Sequence, residues 1–443
     1  MMLDRVFKAE GNEGGSLVQP LDMMTLLRTL FPLPRSLTGD GVRATLQALR
    51  QHISVEIHEV ATGTEVFDWE VPREWNIRAA TIKAKDGRVL VDFADNNLHV
   101  VGYSVPVRGT FSLMELAAHV HTLPDQPDAI PYRTSYYAPN WGFCLPHSLW
   151  TAMQDEAYEV EIDSALVDGS LTYGEFFIPG DTEQEILISV HVCHPSLAND
   201  NLSGIVVATA LARYFLAQPA RRFGLRLLFL PATIGAITWL ATNEARLDRI
   251  VHGLVLTCAG DDGPFHYKKT VNGAVVDLAA EHVLRHSGHA YQMLEFSPYG
   301  YDERQYGSPG IALPVGCLMR AIHGTFPEYH TSLDNCDFVT PQALDQSFRL
   351  LVDLLVTLQR NAIYCRVDGR GEPQLGRRGL YRAIAGQKEA GGASQMDLLW
   401  VLNQCDGSRS LLDIAERAGV PFSRIRAAAD LCLDAELIRE VRQ

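Results

Sequence analysis

The spacing of apolar positions along the chain changes twice, and each change marks a different kind of structure. Over 21–53 they recur at helical intervals, predicting a helix from "LDMMTLLRTLF", a turn at "PLPRSLTGDG" and a second helix through "VRATLQALRQHI". Between about 56 and 121 the period shortens toward two. Segments such as "TIKAKDGRVLVDF" and "LHVVGYSVPVRGTFSL", broken by Asp-Gly and Arg-Gly turns, predict a small β-rich subdomain inserted over 56–124. From about 130 to 360 apolar strands alternate with helices: "EILISVH" (185–191), a helix from Asn201 to about Leu216, "GLRLLFLPA" (224–232), a helix through "ITWLATNEARL", "HGLVLTCAG" (252–260) and a long helix over 341–360. That alternation predicts an α/β fold with a mostly parallel sheet flanked by helices, over 21–55 and 125–370. Its functional loops should gather at the carboxyl ends of the strands.

A Gly-Arg-Gly-Glu-Pro stretch near 369–373 and "GQKEAGGAS" (386–394) set off a tail, 371–443. Three helices are expected there, "MDLLWVLNQC", "SLLDIAERAG" with a Ser410 to Asp413 capping pattern, and "FSRIRAAADLCLDA", which together read as a winged helix.

Composition narrows the classes. The 443 residues are 47% hydrophobic and 21% charged, enough for one large core and one or two small ones. No window approaches twenty uncharged apolar residues, so no membrane partner is expected. The first twenty residues lack an apolar signal core and read as a loose leader, which points to the cytoplasm. A formal charge of −15 disfavours polyanions. Residues 395–443 carry six Arg and no Lys against eight acidic residues, a net of −2. A DNA-reading winged helix would be basic on one face, so interaction or dimer packing is expected, with no nucleic-acid partner and a homo-oligomer formed through the inserted or winged-helix domain. Eight cysteines without a CxxC pair predict reduced thiols rather than a disulfide framework.

The chemistry concentrates in four polar segments at predicted strand ends or loops: "HVCHPSLANDNLSG" (191–204), "PATIGA" (231–236), "YDERQYGSPG" (301–310) and "PEYHTSLDN" (327–335). His191 or His194, Asp200, Asp302 and His330 make a mixed imidazole and carboxylate set of the kind that binds zinc or a similar divalent ion. Taken singly each has a plainer reading: a histidine at a strand end is usually a satisfied polar residue, and Asp200 before Asn-Leu-Ser-Gly could simply cap a helix.

The order of these residues resembles the co-catalytic zinc aminopeptidases, a superfamily that includes glutaminyl cyclases and the transferrin-receptor ectodomain. More closely, "LFPLPRSLTGDGVRATL", "PVRGTFSLMELAAHVHTLPDQPDAIPYRTSYY", "WGFCLPH", "HVCHPSLANDNLSG", "YDERQY" and "PEYHTSLDNCDF" are similar to a bacterial family of aminopeptidase-like proteins with a winged-helix C-terminus, found in polysaccharide or natural-product gene clusters. The resemblance covers about 21–443. It implies that Asp200 is the carboxylate that bridges two metals in the peptidases, Asp302 a later ligand and His330 the last. The first histidine ligand stays open. A His-x-Asp motif favours His191, but position 193 is Cys, and His194 lies closer to Asp200 in sequence.

One departure bears on function. Where the peptidases carry a Glu-Glu pair, the first serving as general base and the second as a metal ligand, this chain has Ala232 and Thr233. Losing the ligand favours a single ion, zinc foremost, and losing the base costs roughly 10²–10⁴-fold unless another group replaces it. Glu303 and Glu328 are the candidate replacements, although Glu303 could instead pair with a cation and Glu328 could merely orient a ligand. Tyr301, Tyr329 and Arg304 are candidate substrate or oxyanion binders. The expected function is metal-dependent hydrolysis of an amide, on a small peptide or biosynthetic intermediate. The alternative is a catalytically lapsed scaffold that binds a peptide-like ligand or a protein partner.

Overall fold

The structure, a computed structural model, describes residues 21–154, 157–380 and 393–441. The expected leader and most of the "GQKEAGGAS" stretch lie outside them. The described residues form two compact units, one falling within Met1–Gly273 and Gln292–Phe348 and one within Ala274–Tyr291 and Arg349–Gln443.

The first unit is built on a mixed sheet whose strands, in chain order, are β1 (Glu56–Ala61), β2 (Ser170–Ile178), β3 (Glu185–His191), β4 (Gly224–Leu230), β5 (Ile250–Leu256), β6 (Phe265–Lys268), β7 (Tyr291–Leu294) and β8 (Val315–Met319). Their spatial order is β1-β2-β4-β3-β5-β8-β6-β7. The centre is parallel, β4 with β3, β3 with β5 and β5 with β8, while β2 joins β4, β1 joins β2 and β6 joins β8 antiparallel. Every residue of β3 and β4 is buried, as a strand covered on both faces requires.

The flanking helices are α1 (Met23–Leu30), α2 (Asp40–Leu49), α3 (Gly204–Leu216) and α4 (Ile234–Thr242). Asp22 starts α1 by accepting the Thr25 N–H at 3.0 Å. The parallel strands deliver the carboxyl ends of β3, β4 and β5 to one edge, where the polar segments begin. Among the described residues no helix is long and apolar enough to cross a membrane.

The β-rich part differs from the expectation in two ways. Glu56–Ala61 pairs with β2 in the central sheet, because its half-exposed alternation suits an edge strand equally well. The small sheet, ordered Val89–Asp92, Glu74–Ala84, Tyr158–Val167 and Val107–Phe111, takes a strand from beyond residue 124. Tyr158–Val167 turns through Asp168 and Gly169 directly into β2, so one hairpin serves both sheets.

In the second unit Gln395–Gln404, Leu411–Ala418 and Phe422–Asp434 form the three expected helices, and Ser410 and Asp413 make a capping box at the second. A three-stranded sheet completes it, Asp406–Ser410, Ile363–Arg366 and Ile438–Glu440. Its middle strand precedes the Gly-Arg-Gly-Glu-Pro stretch, so the winged helix draws on chain before 371. Helix Val275–His286 belongs to the same unit: His282 Nδ1 pairs with Glu416 at 2.5 Å and its Nε2 accepts the Phe422 N–H at 2.9 Å. All eight cysteines are free, and most are buried.

One charged cluster sits inside the central sheet. Arg226 on β4 is bidentate to Glu185 on β3, at 2.6 and 2.9 Å, and also pairs with Glu175 on β2, whose other oxygen accepts the Trp239 indole N–H at 2.9 Å. Removing the cation leaves two carboxylates in the core without a partner. Arg226→Met is therefore expected to lose about 3–5 kcal/mol of stability, read as a lowered denaturant midpoint; an unchanged midpoint would show that water reaches the acids.

Candidate metal centre

Strand β3 ends at His191, and the chain continues through Cys193 and His194 into a short helical turn, Ala198–Ser203. Asp200 and Asn201 leave helical geometry inside that turn (φ −106°, ψ 82° and φ −142°, ψ 32°). Asp334 holds the loop there. Its two carboxylate oxygens accept the Asn199 and Asp200 N–H groups at 2.6 and 2.9 Å, and its carbonyl accepts the Ala198 N–H at 2.9 Å. Asn199 anchors the other side, donating to Asp261 at 2.9 Å and accepting the Gly260 N–H at 2.8 Å.

The carboxylate so placed is wholly buried and ringed by donors. Asp200 Oδ1 lies 2.8 Å from His191 Nε2, and Oδ2 lies 3.1 Å from His330 Nε2 and 3.9 Å from His194 Nε2. The Tyr301 hydroxyl donates to Oδ2 at 2.9 Å and meets the Tyr329 hydroxyl at 2.7 Å. Donor atoms of His191, His194 and Asp200 all fall within 4.8 Å of one another.

Aromatic rings fix the imidazoles. Tyr301 stacks on His191 (4.5 Å between centroids, 21° between planes), Tyr329 stacks on His330 (3.9 Å, 12°), and Tyr132 stands edge-on to His330 (5.0 Å, 89°). His330 adopts φ 55° and its carbonyl accepts the Tyr132 N–H at 2.8 Å. A left-handed backbone at a non-glycine residue is sterically costly, and the bracketing rings hold it.

The electrostatics follow from burial. Burial pushes the Asp200 carboxyl up, but His194, His191 and His330 outweigh it and hold it well below the usual carboxylate range. Burial pulls His194 down to about 3 against the attraction of Asp200, so this imidazole is neutral. Burial also raises Tyr301 and Tyr329, which keep their protons.

The remaining candidates stand apart from this cluster in different ways. Asp302 Oδ1 accepts the Thr233 N–H at 2.6 Å, while Oδ2 is enclosed and has no hydrogen-bond partner. Burial raises this carboxyl to about 6, opposed by the Thr233 N–H. Glu303 is wholly buried in an ion pair with Lys268 and accepts the Tyr301 N–H at 3.1 Å, so its cation is Lys268 and not the neighbouring arginine. Arg304 Nη1 donates to the Pro298 carbonyl at 3.4 Å. Glu328 lies half-buried in the loop before His330. Ala232 and Thr233 follow β4 at the site's edge: the Ala232 N–H meets Cys193 Sγ at 3.3 Å, and Thr233 takes φ 64° at the start of α4.

Sequence reasoning missed Asp334, Tyr132, Lys268 and His323. Asp334 stood within the quoted "PEYHTSLDN", but a carboxylate that binds backbone N–H groups leaves no motif. His323 is buried edge-on to Tyr301 at 5.0 Å.

The donor set suits a divalent ion. Three imidazoles and an ionised carboxylate converge, and at least one imidazole is held neutral as ligation requires.

Comparison with known proteins agrees with this architecture. Residues 24–361 match a family model described as a domain of unknown function (DUF4910), and 362–440 match one described as a winged helix-turn-helix. A Clostridium acetobutylicum protein named "Putative polysaccharide biosynthesis protein with aminopeptidase-like domain" is 48% identical over 421 residues, covering 95% of this chain and 96% of that one. A crystal structure from the same organism, described as a "putative peptidase", is similar with a TM-score of 0.90 at 46% identity over 95% of this chain and 96% of that one. A zinc aminopeptidase from Bacillus subtilis shares the fold, with a TM-score of 0.55 and 11% identity over 76% of this chain and 95% of that one. The chain thus belongs to the DUF4910 family, with an aminopeptidase-like fold followed by a winged helix.

Proposed function

We propose that the protein is a metal-dependent amide hydrolase of aminopeptidase type, acting on a small peptide or biosynthetic intermediate. The observation that carries this reading is Asp200, wholly buried and ringed by three imidazoles and a phenol. A polar cluster so enclosed is costly to fold and has no packing role to offset that cost. The name of the Clostridium acetobutylicum relative supports a biosynthetic setting.

His191, His194, Asp200 and His330 would hold one divalent ion, most simply zinc. Bound there, the ion would supply Lewis-acid polarisation of the scissile carbonyl. The chain's own groups do the rest. The Tyr301 hydroxyl, kept protonated by burial, is spent on Asp200 Oδ2, and an ion taken up by that carboxylate would release it, and with it Tyr329, to donate toward charge developing on the carbonyl oxygen. Asp302, with Oδ2 free, takes the proton of the attacking water in place of the glutamate absent at 232. Glu303 is committed to Lys268 and positions the Tyr301 backbone instead.

The lapsed-scaffold reading rests on the Ala232-Thr233 pair, and substitution separates the two. We place the winged helix in protein contacts in either case; among its described arginines Arg424 pairs with Asp397 at 2.9 Å, Arg426 with Asp430 and Arg409 with Asp406 at 2.5 Å, which ties up part of its positive charge.

Elemental analysis of the purified protein should find about one ion per chain, with affinity lowered more than about 100-fold in His330→Ala, beyond what loss of an outer-shell partner does. No ion after incubation with zinc or manganese would sink the metalloenzyme reading. Asp302→Asn should keep the ion and lose roughly 10²–10⁴-fold in turnover on aminoacyl or acyl amides; loss of the ion instead would make Asp302 a ligand. Tyr301→Phe should lower kcat about 10²–10³-fold with KM little changed, and an unaltered kcat would remove its hydroxyl from the reaction.

A further inference from the structure

A buried lysine ties down the loop that carries Tyr301. Residues 295–302 join β7 to the helical turn Glu303–Tyr306 and belong to no strand or helix. Lys268, the last residue of β6, reaches that loop from the sheet and is 3% exposed. Its Nζ donates to the Ser297 carbonyl at 3.2 Å and to the Tyr299 carbonyl at 2.8 Å, and it pairs with Glu303 Oε1. Glu303 turns its other oxygen, Oε2, to the Tyr301 N–H at 3.1 Å. Alternate loop residues, Ser297, Tyr299 and Tyr301, are therefore held by one ion pair. An ammonium has three N–H donors, and these acceptors use all of them.

Stability does not explain such a pair. The attraction between two buried charges does little more than offset their desolvation, and replacing them by well-packed apolar side chains of the same volume is often neutral or stabilising. What the pair adds is position. Gly300 shows how closely the loop is drawn in, because a Cβ there would overlap both Glu303 Oε1 and the Lys268 ammonium. The next residue is Tyr301, whose hydroxyl donates to Asp200 Oδ2 at 2.9 Å and whose ring stacks on His191.

We propose that Lys268 is a positioning residue, which acts through Glu303 and the Tyr299 carbonyl to set the Tyr301 phenol against Asp200. The placement is independent of any reaction; its effect on turnover rests on the hydrolase reading of the site.

The test incorporates fluorotyrosine into the full-length protein and follows by fluorine NMR the line that Tyr301→Phe removes. Lys268→Met alone strands the Glu303 charge and should lower the melting temperature. Lys268→Met combined with Glu303→Met removes both charges and should recover the melting temperature without recovering the phenol. In that double variant the Tyr301 line should move and become open to broadening by a soluble gadolinium chelate, from which the parent residue, 8% exposed, is shielded. Its turnover should fall toward that of Tyr301→Phe, and adding Tyr301→Phe should cost little more, since both changes remove one interaction. Should the double variant fail to fold, Gly300→Ala, which pushes a methyl against the paired charges and keeps both, should displace the same line. A folded variant whose Tyr301 line keeps its parent position and shielding would overturn the proposal, whatever its turnover. A displaced line with turnover unchanged would support the clamp and count against the hydrolase reading instead.

Discussion

The candidate centre depends on keeping one carboxylate ionised where no water reaches it. Asp200 stays charged because three imidazoles and a phenol face it, and it stays in place because a second buried acid, Asp334, grips the backbone on its amino-terminal side. Burial, aided by the Asp200 charge, raises Asp334 to about 7 against the N–H groups it accepts. The loop that carries Asp200 must then enter α3 at once. Gly204 permits that, since a Cβ there would come within 2.4 Å of Asn201 Oδ1. Loop, acid and helix start form one constraint, and the histidines arrange themselves around it.

Much of the frame was legible in the sequence, for physical reasons that also explain the omissions. "EILISVH" and "GLRLLFL" announce buried parallel strands because both faces need apolar side chains, and His191, Asp200 and His330 stand out because such donors are rare against those strands. Ser410 and Asp413 declare a helix start through local bonds alone. What stayed hidden depends on distant partners. Glu303 gives no hint that Lys268 will neutralise it, and Arg226 inside an apolar strand gives none that two acids from neighbouring strands will meet it. Glu56–Ala61 alternates equally well for either sheet, so only pairing decides its place.

The edge at Ala232 and Thr233 meets its surroundings through the backbone. Its two N–H groups face Cys193 Sγ and Asp302 Oδ1, so this stretch contributes dipoles rather than charge.

The hairpin of Tyr158–Val167 and Ser170–Ile178 has a consequence for how such a protein can be recombined. Because one continuous ribbon edges into the central sheet at one end and fills the middle of the small sheet at the other, the small sheet is no cassette. Excising the preceding segment would leave a strand with two bare flanks still tethered to the core. Exchange between relatives must therefore move both sheets together, and the small sheet inherits whatever twist the central sheet imposes on it.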